Sequence, residues 1–481
     1  DISVDKTLFE LGGGVVEAAR LMLSIRESMG ITVWLDQVFN RCSVKQLAAL
    51  LVNKGAKDAS LIPASAHSAY YPTSPVQEKI YNQRRSADRV RRHVVICLGD
   101  WPGKVDPVRL ERALRTLIKI QDVLRTGFIK IGNRLFQYVR DAADVALPEL
   151  QKYDATEAAV RAMEKPFDDA VPGLIRVGWV EQEQGGNIVL VAADTLVCDE
   201  DSICMLLNEL RDVYEGRILP PLPLRYVDYA VWQDGRTGSS EEQTAFWMKQ
   251  RAWQWPELAL PTITVSHPTD MRPMESMSFA PDQAMERKIA ELAQSARTSP
   301  FCIFLSCFYI LLSGVTLEDH IIIDVEIDGR IQRKLKKVAG VFRDTLPIGM
   351  VVGQDACFRS FLQSLSRFIP EAAVNQRMSY DGILAAMGKS ERCQAFFTCH
   401  DLTDITGLIG RGMPVERYQL GMVVSQREGS HHIELLFERQ LFDSDTIRQF
   451  RGYYLDVLTA VLEDPLKTIE SIEFIHSLGK V

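Results

Sequence analysis

Ile188-Val189-Leu190-Val191-Ala192-Ala193 is a run with no polar position. An apolar run this short, with β-branched residues, suits a strand covered on both faces. A strand of that kind needs neighbours on either edge and cover above and below, so it demands a sizeable layered domain. The surrounding sequence supplies the layers. Val94–Leu98 reads as a second strand, and Ile188–Ala193 is followed by helical spacing through Ile203, Leu206, Leu207, Leu210 and Val213. Val108–Ile120 repeats that spacing at Leu110, Ala113, Leu114 and Leu117. Further on come helices at 283–297 and 301–313, a strand at 320–327 and a last helix near 443–462. The expected class is α/β.

The first 54 residues differ in kind. A helix is expected to start near Val15 and stop at Met29-Gly30, with glycine as the breaker. Another opens with the capping box Ser43-Val44-Lys45-Gln46 and buries Leu47, Leu50 and Leu51. Together they predict a small helical bundle over 1–54. Residues 55–72 are small and polar without periodicity, which marks a linker. Proline clusters at Leu219–Pro223 and Trp255–Pro261 mark a crossing region within the remainder. The expected boundaries are 1–54, 55–72, a first lobe at 73–245 and a second at 246–481.

Composition removes several function classes. The 481 residues carry a net charge of −8, whereas nucleic acids and anionic membranes select basic faces. No apolar run approaches the roughly 20 residues of a membrane helix. The nine cysteines are odd in number and have no CxxC spacing, so zinc and a disulfide framework are not expected and a reducing cytoplasm is. His431-His432 lies in a strand-like stretch, which sends the two rings to opposite faces and argues against a metal pair.

Two stretches carry chemistry by resemblance. Leu8-Phe9-Glu10-Leu11-Gly12-Gly13-Gly14-Val15-Val16, running into a helix, resembles the peptidyl-carrier signature of nonribosomal peptide synthetases. In that family a serine follows the glycine pair one residue on and takes a phosphopantetheine arm. Here the position is Val15, whose isopropyl group has no oxygen to esterify, so no covalently bound cofactor is expected. Residue 1 falls just before this signature, so the first carrier helix is expected to be missing and the chain to be a fragment. Residues 70–476 resemble the condensation-domain superfamily of the same synthetases. The resemblance rests on Thr73–Tyr81, Val123-Leu124-Arg125-Thr126-Gly127-Phe128, Leu222–Gln233 and Gly340–Pro347, in that order. It implies two lobes, each similar to chloramphenicol acetyltransferase, with a tunnel between them. It also implies phosphopantetheine-tethered substrates delivered by partner carriers, and other synthetase subunits as partners.

The family's active-site motif is two histidines, three variable residues, aspartate and glycine. The corresponding stretch is Asp194-Thr195-Leu196-Val197-Cys198-Asp199-Glu200, without either histidine. Thr195 is no general base near neutral pH. Asp194, Asp199 and Ser202 instead resemble the pattern of heterocyclization domains, which condense cysteine, serine or threonine and then cyclise and dehydrate. Trp255–Pro261 and Phe396-Phe397-Thr398-Cys399 lean the same way, and the latter implies a cyclodehydration role for Thr398. That branch has Gly-Asp-Phe-Thr where this chain has Gly340-Val341-Phe342-Arg343. Its aspartate partner for the threonine falls on Ile433 or Glu434 here, so Glu434 is the candidate acid, with His432 on the same strand face. The resemblance also implies that Asp199 pairs with Arg125 on the tunnel floor, while acidic residues at a helix start equally serve as caps. Two readings remain: an enzyme that condenses or cyclises carrier-bound substrates in trans, and a catalytically silent domain that holds synthetase subunits together.

Overall fold

The computed structural model describes residues 62–472, apart from 86–93, 183–185, 236–240, 264–273, 410–417 and a few single or paired positions. Ahead of these it describes Leu21, Ser43 and 45–47. Val15, the helix expected from it apart from Leu21, and residues 55–61 lie outside the described residues. The chain divides into Asp1–Ser65 and Ala66–Val481. In the first unit the capping box forms: Ser43 N donates to Gln46 Oε1 (2.9 Å) and Gln46 N to Ser43 Oγ (3.3 Å).

The second unit is mixed α/β. Its strands are β1 (Tyr71–Pro72), β2 (Val94–Trp101), β3 (Thr126–Ile131), β4 (Arg134–Val139), β5 (Leu150–Tyr153), β6 (Ile175–Glu181) and β7 (Asn187–Asp194). They continue with β8 (Met274–Phe279), β9 (His320–Asp328), β10 (Arg343–Val351), β11 (Ala395–Asp401), β12 (Gly407–Ile409), β13 (Leu420–Arg427) and β14 (Ser430–Glu438). The helices are α1 (Pro75–Arg85), α2 (Pro107–Ile120), α3 (Thr156–Met163), α4 (Glu200–Tyr214), α5 (Tyr226–Asp234) and α6 (Glu241–Gln250). The later ones are α7 (Gln283–Ala296), α8 (Pro300–Thr316), α9 (Phe358–Val374), α10 (Tyr380–Ala386) and α11 (Ser444–Glu463).

One sheet has the order β12-β2-β7-β6-β5, and β7, buried along its whole length, lies antiparallel between β2 and β6. The apolar run thus occupies the middle of its sheet. A second sheet runs β10-β9-β11-β13-β14-β8, with β11 parallel to both β9 and β13. A small sheet, β1-β4-β3, completes the set. α2 starts at Asp106, whose carboxylate accepts from Val108 N and Arg109 N, and it buries Leu110, Ala113, Leu114 and Leu117 against α4. α8 is apolar nearly all round and is enclosed in the core over the second sheet, which accounts for its composition without a membrane. No single helix among the described residues is long and apolar enough to cross one.

Two of the expected boundaries cut through elements of the structure, and one strand crosses between the halves. Tyr71–Pro72, the end of the expected linker, pairs with β4, and Tyr71 is buried, because its ring has a place in the fold. The 245/246 boundary falls inside α6, which is continuous across it. β12 comes from the second half of the chain but pairs with β2 of the first sheet, so the lobes exchange chain. The segment ahead of β10 is also seated in the first half. Gln121 binds Lys337 O (2.9 Å) and Ala339 N (3.0 Å), and Tyr226 Oη donates to Val341 O (2.9 Å). A Cβ on Gly340 would lie 2.0 Å from the Tyr226 ring, so only glycine allows that approach.

Candidate functional site

A cleft of about 830 Å³, open to solvent, lies among α1, the turn after β7, the start of β10, β9 and α10. Its floor begins with the turn from β7 into α4. Asp194 ends β7 with no exposed surface and accepts from Leu196 N at 2.8 Å, which closes the turn. Arg84 of α1 reaches both carboxylate oxygens, at 3.2 Å on Oδ2 and by a second contact on Oδ1, and also donates to Thr195 Oγ1 at 2.7 Å. Thr195 lines the cleft, and the Asp194 carboxylate does not.

Asp199 is the N-cap of α4, accepting from Ser202 N at 2.8 Å. Its second oxygen accepts from Phe342 N (2.9 Å) and Arg343 N (3.2 Å). Its charge is met by Arg330, at 3.0 and 3.2 Å, and not by Arg125. Arg125 instead contacts Asp122 and donates to Arg140 O at 2.8 Å. The expected Arg125–Asp199 pair is therefore corrected. Asp122 lies three residues before Arg125 and meets its charge locally, while the loop after β9 delivers Arg330 to the cap. Ser202 joins the same knot: its Oγ donates to Gly340 O (2.8 Å) and accepts from Gly340 N (2.9 Å) and Arg330 (2.5 Å). Asp199 and Ser202 thus staple α4 to the Gly340–Arg343 segment. Just before them Cys198 lines the cleft, and burial together with Asp199 pushes its thiol far above the ordinary range.

The opposite wall comes from β9, whose Asp324 and Glu326 line the cleft, while β11 beside it contributes no lining residue. Alternation along β9 sends Ile323, Val325 and Ile327 into the core and puts Asp324, Glu326 and Asp328 on the other face. Thr398 of β11 is buried and donates to Glu326 Oε2 at 2.6 Å, so its acid partner is Glu326. Glu434 shares that face but stands beyond Val423 on the next strand, so the expected Thr398–Glu434 partnership is corrected too, and neither residue lines the cleft. His432 is exposed and His431 buried against Glu286 (2.7 Å), as strand alternation expects. His400, two residues along β11, brings Nε2 to 3.3 Å from Thr398 Oγ1.

Arg343 crosses between the walls. It binds Asp201 of α4 through Nε and Nη2 (both 2.9 Å), Glu326 at 3.0 Å, Thr398 Oγ1 at 3.3 Å and Cys399 O at 2.8 Å. Burial would lower its pKa, but Asp201 and Glu326 push it well up. Burial likewise acts to raise Asp201, and Arg343 overrides it, holding that carboxyl below its usual value. Asp324 is the contrary case. It accepts from Tyr380 Oη (2.8 and 2.9 Å) and Tyr418 Oη (2.8 Å), yet burial dominates and raises its pKa. Among the described residues no His/Cys/Asp/Glu group could hold a metal.

Among the residues of this site that escaped the sequence are Arg84, Arg330, Asp324 and Glu326. The acidic alternation along β9 was a readable signal for the last two. Arg330 pairs locally with Asp328 (3.0 Å), but nothing local signals its second partner, Asp199, 131 residues away.

The model of the condensation-domain family matches residues 67–480. Tyrocidine synthase 2 of Brevibacillus parabrevis is 26% identical across 98% of this chain and 14% of its own length. Bacitracin synthase 1 of Bacillus licheniformis is 24% identical across 100% and 10%. The chain thus spans less than a fifth of these relatives. Among solved structures, the condensation domain from monacolin K polyketide synthase superposes with a TM-score of 0.71 at 18% identity, covering 84% of this chain and 100% of that one. The X-domain from teicoplanin biosynthesis gives 0.67 at 20% identity, covering 86% and 99%. At these identities the likeness concerns the fold.

Proposed function

The chain belongs to the condensation-domain family, and we propose that it is an atypical member, a synthetase domain that receives carrier-tethered chains and holds neighbouring subunits without forming an amide through a histidine. The observation that carries this is Arg84. It holds both Asp194 and Thr195, the positions where the family's motif places its histidines. One of these side chains is shut away from the cleft and the other is an alcohol, so the corner offers no proton acceptor poised near neutral pH. Arg343, saturated by both walls, adds a fixed strut where substrate would pass.

Residues 1–54 fit this reading as a peptidyl-carrier-like docking segment with no arm on Val15. The alignments to the synthetases extend ahead of residue 67 and support that placement. Partners are other synthetase subunits and their loaded carriers, in the cytoplasm. The test is incubation with separately loaded donor and cysteinyl carriers, read by mass spectrometry. Both substrates are expected to stay on their own carriers, and a condensed product, hydrated or not, overturns the proposal. The chain's own mass is expected to stay unchanged with coenzyme A and a broad phosphopantetheinyl transferase.

A second reading, condensation followed by cyclodehydration to a thiazoline or oxazoline, is favoured by the 2.6 Å Thr398–Glu326 hydrogen bond. It supplies the acid partner that the heterocyclization pattern calls for. In that case Thr398→Ala leaves the amide product and suppresses loss of water in the same assay.

A further inference from the structure

The cations around the cleft fall into two groups. Arg330 and Arg343 are buried and their guanidinium groups are taken up by carboxylates, hydroxyls and carbonyls of the protein. Lys79 and Arg392 also line the cleft but sit on its solvent side, with side chains 30% and 46% exposed. Both stand over one ring. Lys79 Nζ is 5.5 Å from the Tyr380 centroid and Arg392 Cζ is 4.8 Å from it, so the two charges lie within about 10 Å of each other. The ring is fixed from behind, because its hydroxyl is bound to Asp324.

Among the described residues their donors are largely unspent. An ammonium carries three N–H groups and a guanidinium five. Lys79 gives one to Asp344 at 3.1 Å, and Arg392 gives one to Asp381 at 2.9 Å, a carboxylate that is itself 78% exposed. An exposed ion pair of that sort is weak and easily exchanged for a better anion. A phosphate or carboxylate offers several acceptor atoms to such donors, in charge-assisted bonds.

We propose that Lys79 and Arg392, mounted over the Tyr380 ring at the solvent side of the cleft, recognise an anionic group, a phosphate or a carboxylate, on the chain that enters it. This rests on the reading that the cleft receives tethered chains. It adds a polarity to that cleft: the anion stays at the rim, and the portion beyond it meets the Asp324 and Glu326 wall.

Calorimetric titration of the full chain at low ionic strength with three probes tests it. Pantetheine is neutral, 4′-phosphopantetheine carries a phosphate, and pantothenate carries a carboxylate. At least one anion is expected to bind about fivefold or more tighter than pantetheine. Which of the two does so identifies the source of the charge. Arg392→Met and Lys79→Met are each expected to erase most of that preference, read as the ratio of anion to pantetheine affinity. Equal binding of all three probes, or a preference that survives both variants, overturns the anion site and leaves the cleft reading standing. If none of the probes binds, both fall.

Discussion

The turn at 194–202 and the wall of β9, with Thr398 of β11 bonded to it, use their polar groups differently around the same cleft. In the turn each carboxylate is consumed by architecture. Asp194 closes the bend and binds Arg84, and Asp199 caps α4 and binds Arg330. On the wall the groups are graded. Glu326 is shared between Thr398 and Arg343, while Asp324 keeps a raised pKa despite two tyrosine donors. The motif-bearing region, where chemistry was expected, is the rigid part. The wall, reached by plain strand alternation, holds Asp324, a carboxyl that burial makes easier to protonate. A family motif marks where a fold is pinned as readily as where a reaction occurs.

The comparison breaks most sharply at Asp199. Its carboxylate is buried and its partner Arg330 equally so. Removing one member of such a pair strands the other, so Asp199→Ala is expected to lower unfolding free energy by about 3–5 kcal/mol. Denaturant titration measures this. A double-mutant cycle sharpens it: Asp199 and Arg330 are expected to couple strongly, whereas Asp199 and Arg125 should add within about 0.5 kcal/mol. Strong coupling to Arg125 would restore the pairing that the resemblance implied and undo the distinction between the two regions.

A smaller effect is expected on the wall. Thr398→Ala removes a donor from the buried Glu326, which keeps Arg343. The loss should be about 1–3 kcal/mol, and Thr398→Ser should recover most of it. If Ser and Ala are equally destabilised, the methyl group and its packing matter more than the hydroxyl, and Glu326 is not partnered through Thr398.

The sequence spoke clearly where the signal is local. The apolar run 188–193, the helical face of 108–120 and the box at 43–46 all depend on neighbours within one or two turns, and each has its expected form. Long-range partners were invisible. The resemblance gave Arg125 to Asp199, but a guanidinium takes the nearest well-placed carboxylate, and Asp122 is three residues away. The pairing of β12 with β2 could not be read, since three residues carry no register of their own. Glu434 was reasonable as a strand-borne acid, yet one intervening strand removes it from Thr398. Asp324 and Glu326 were legible in principle, because acids alternating with isoleucine and valine along a strand must share a face.

The least of the expected effects concerns pH, and it separates Asp324 from the carboxylates that are locked in ion pairs. Burial raises its pKa in the folded chain, against the hydrogen bonds from Tyr380 and Tyr418 and the charge of Lys79. The folded state therefore holds the proton more firmly than the unfolded state does. Between the ordinary carboxylate value of about 3.9 and the raised native value, the native state binds more protons, so stability falls as pH rises. Asp324→Asn abolishes that contribution while leaving the opposite one from Asp201, whose pKa is held down by Arg343. The stability of wild type minus that of the variant, measured by chemical unfolding, is thus expected to decline from about pH 4 upward and then level off. A flat difference, or one that grows with pH, would mean that the tyrosines and Lys79 fully stabilise the charged form, and that the wall is no freer to change state than the turn.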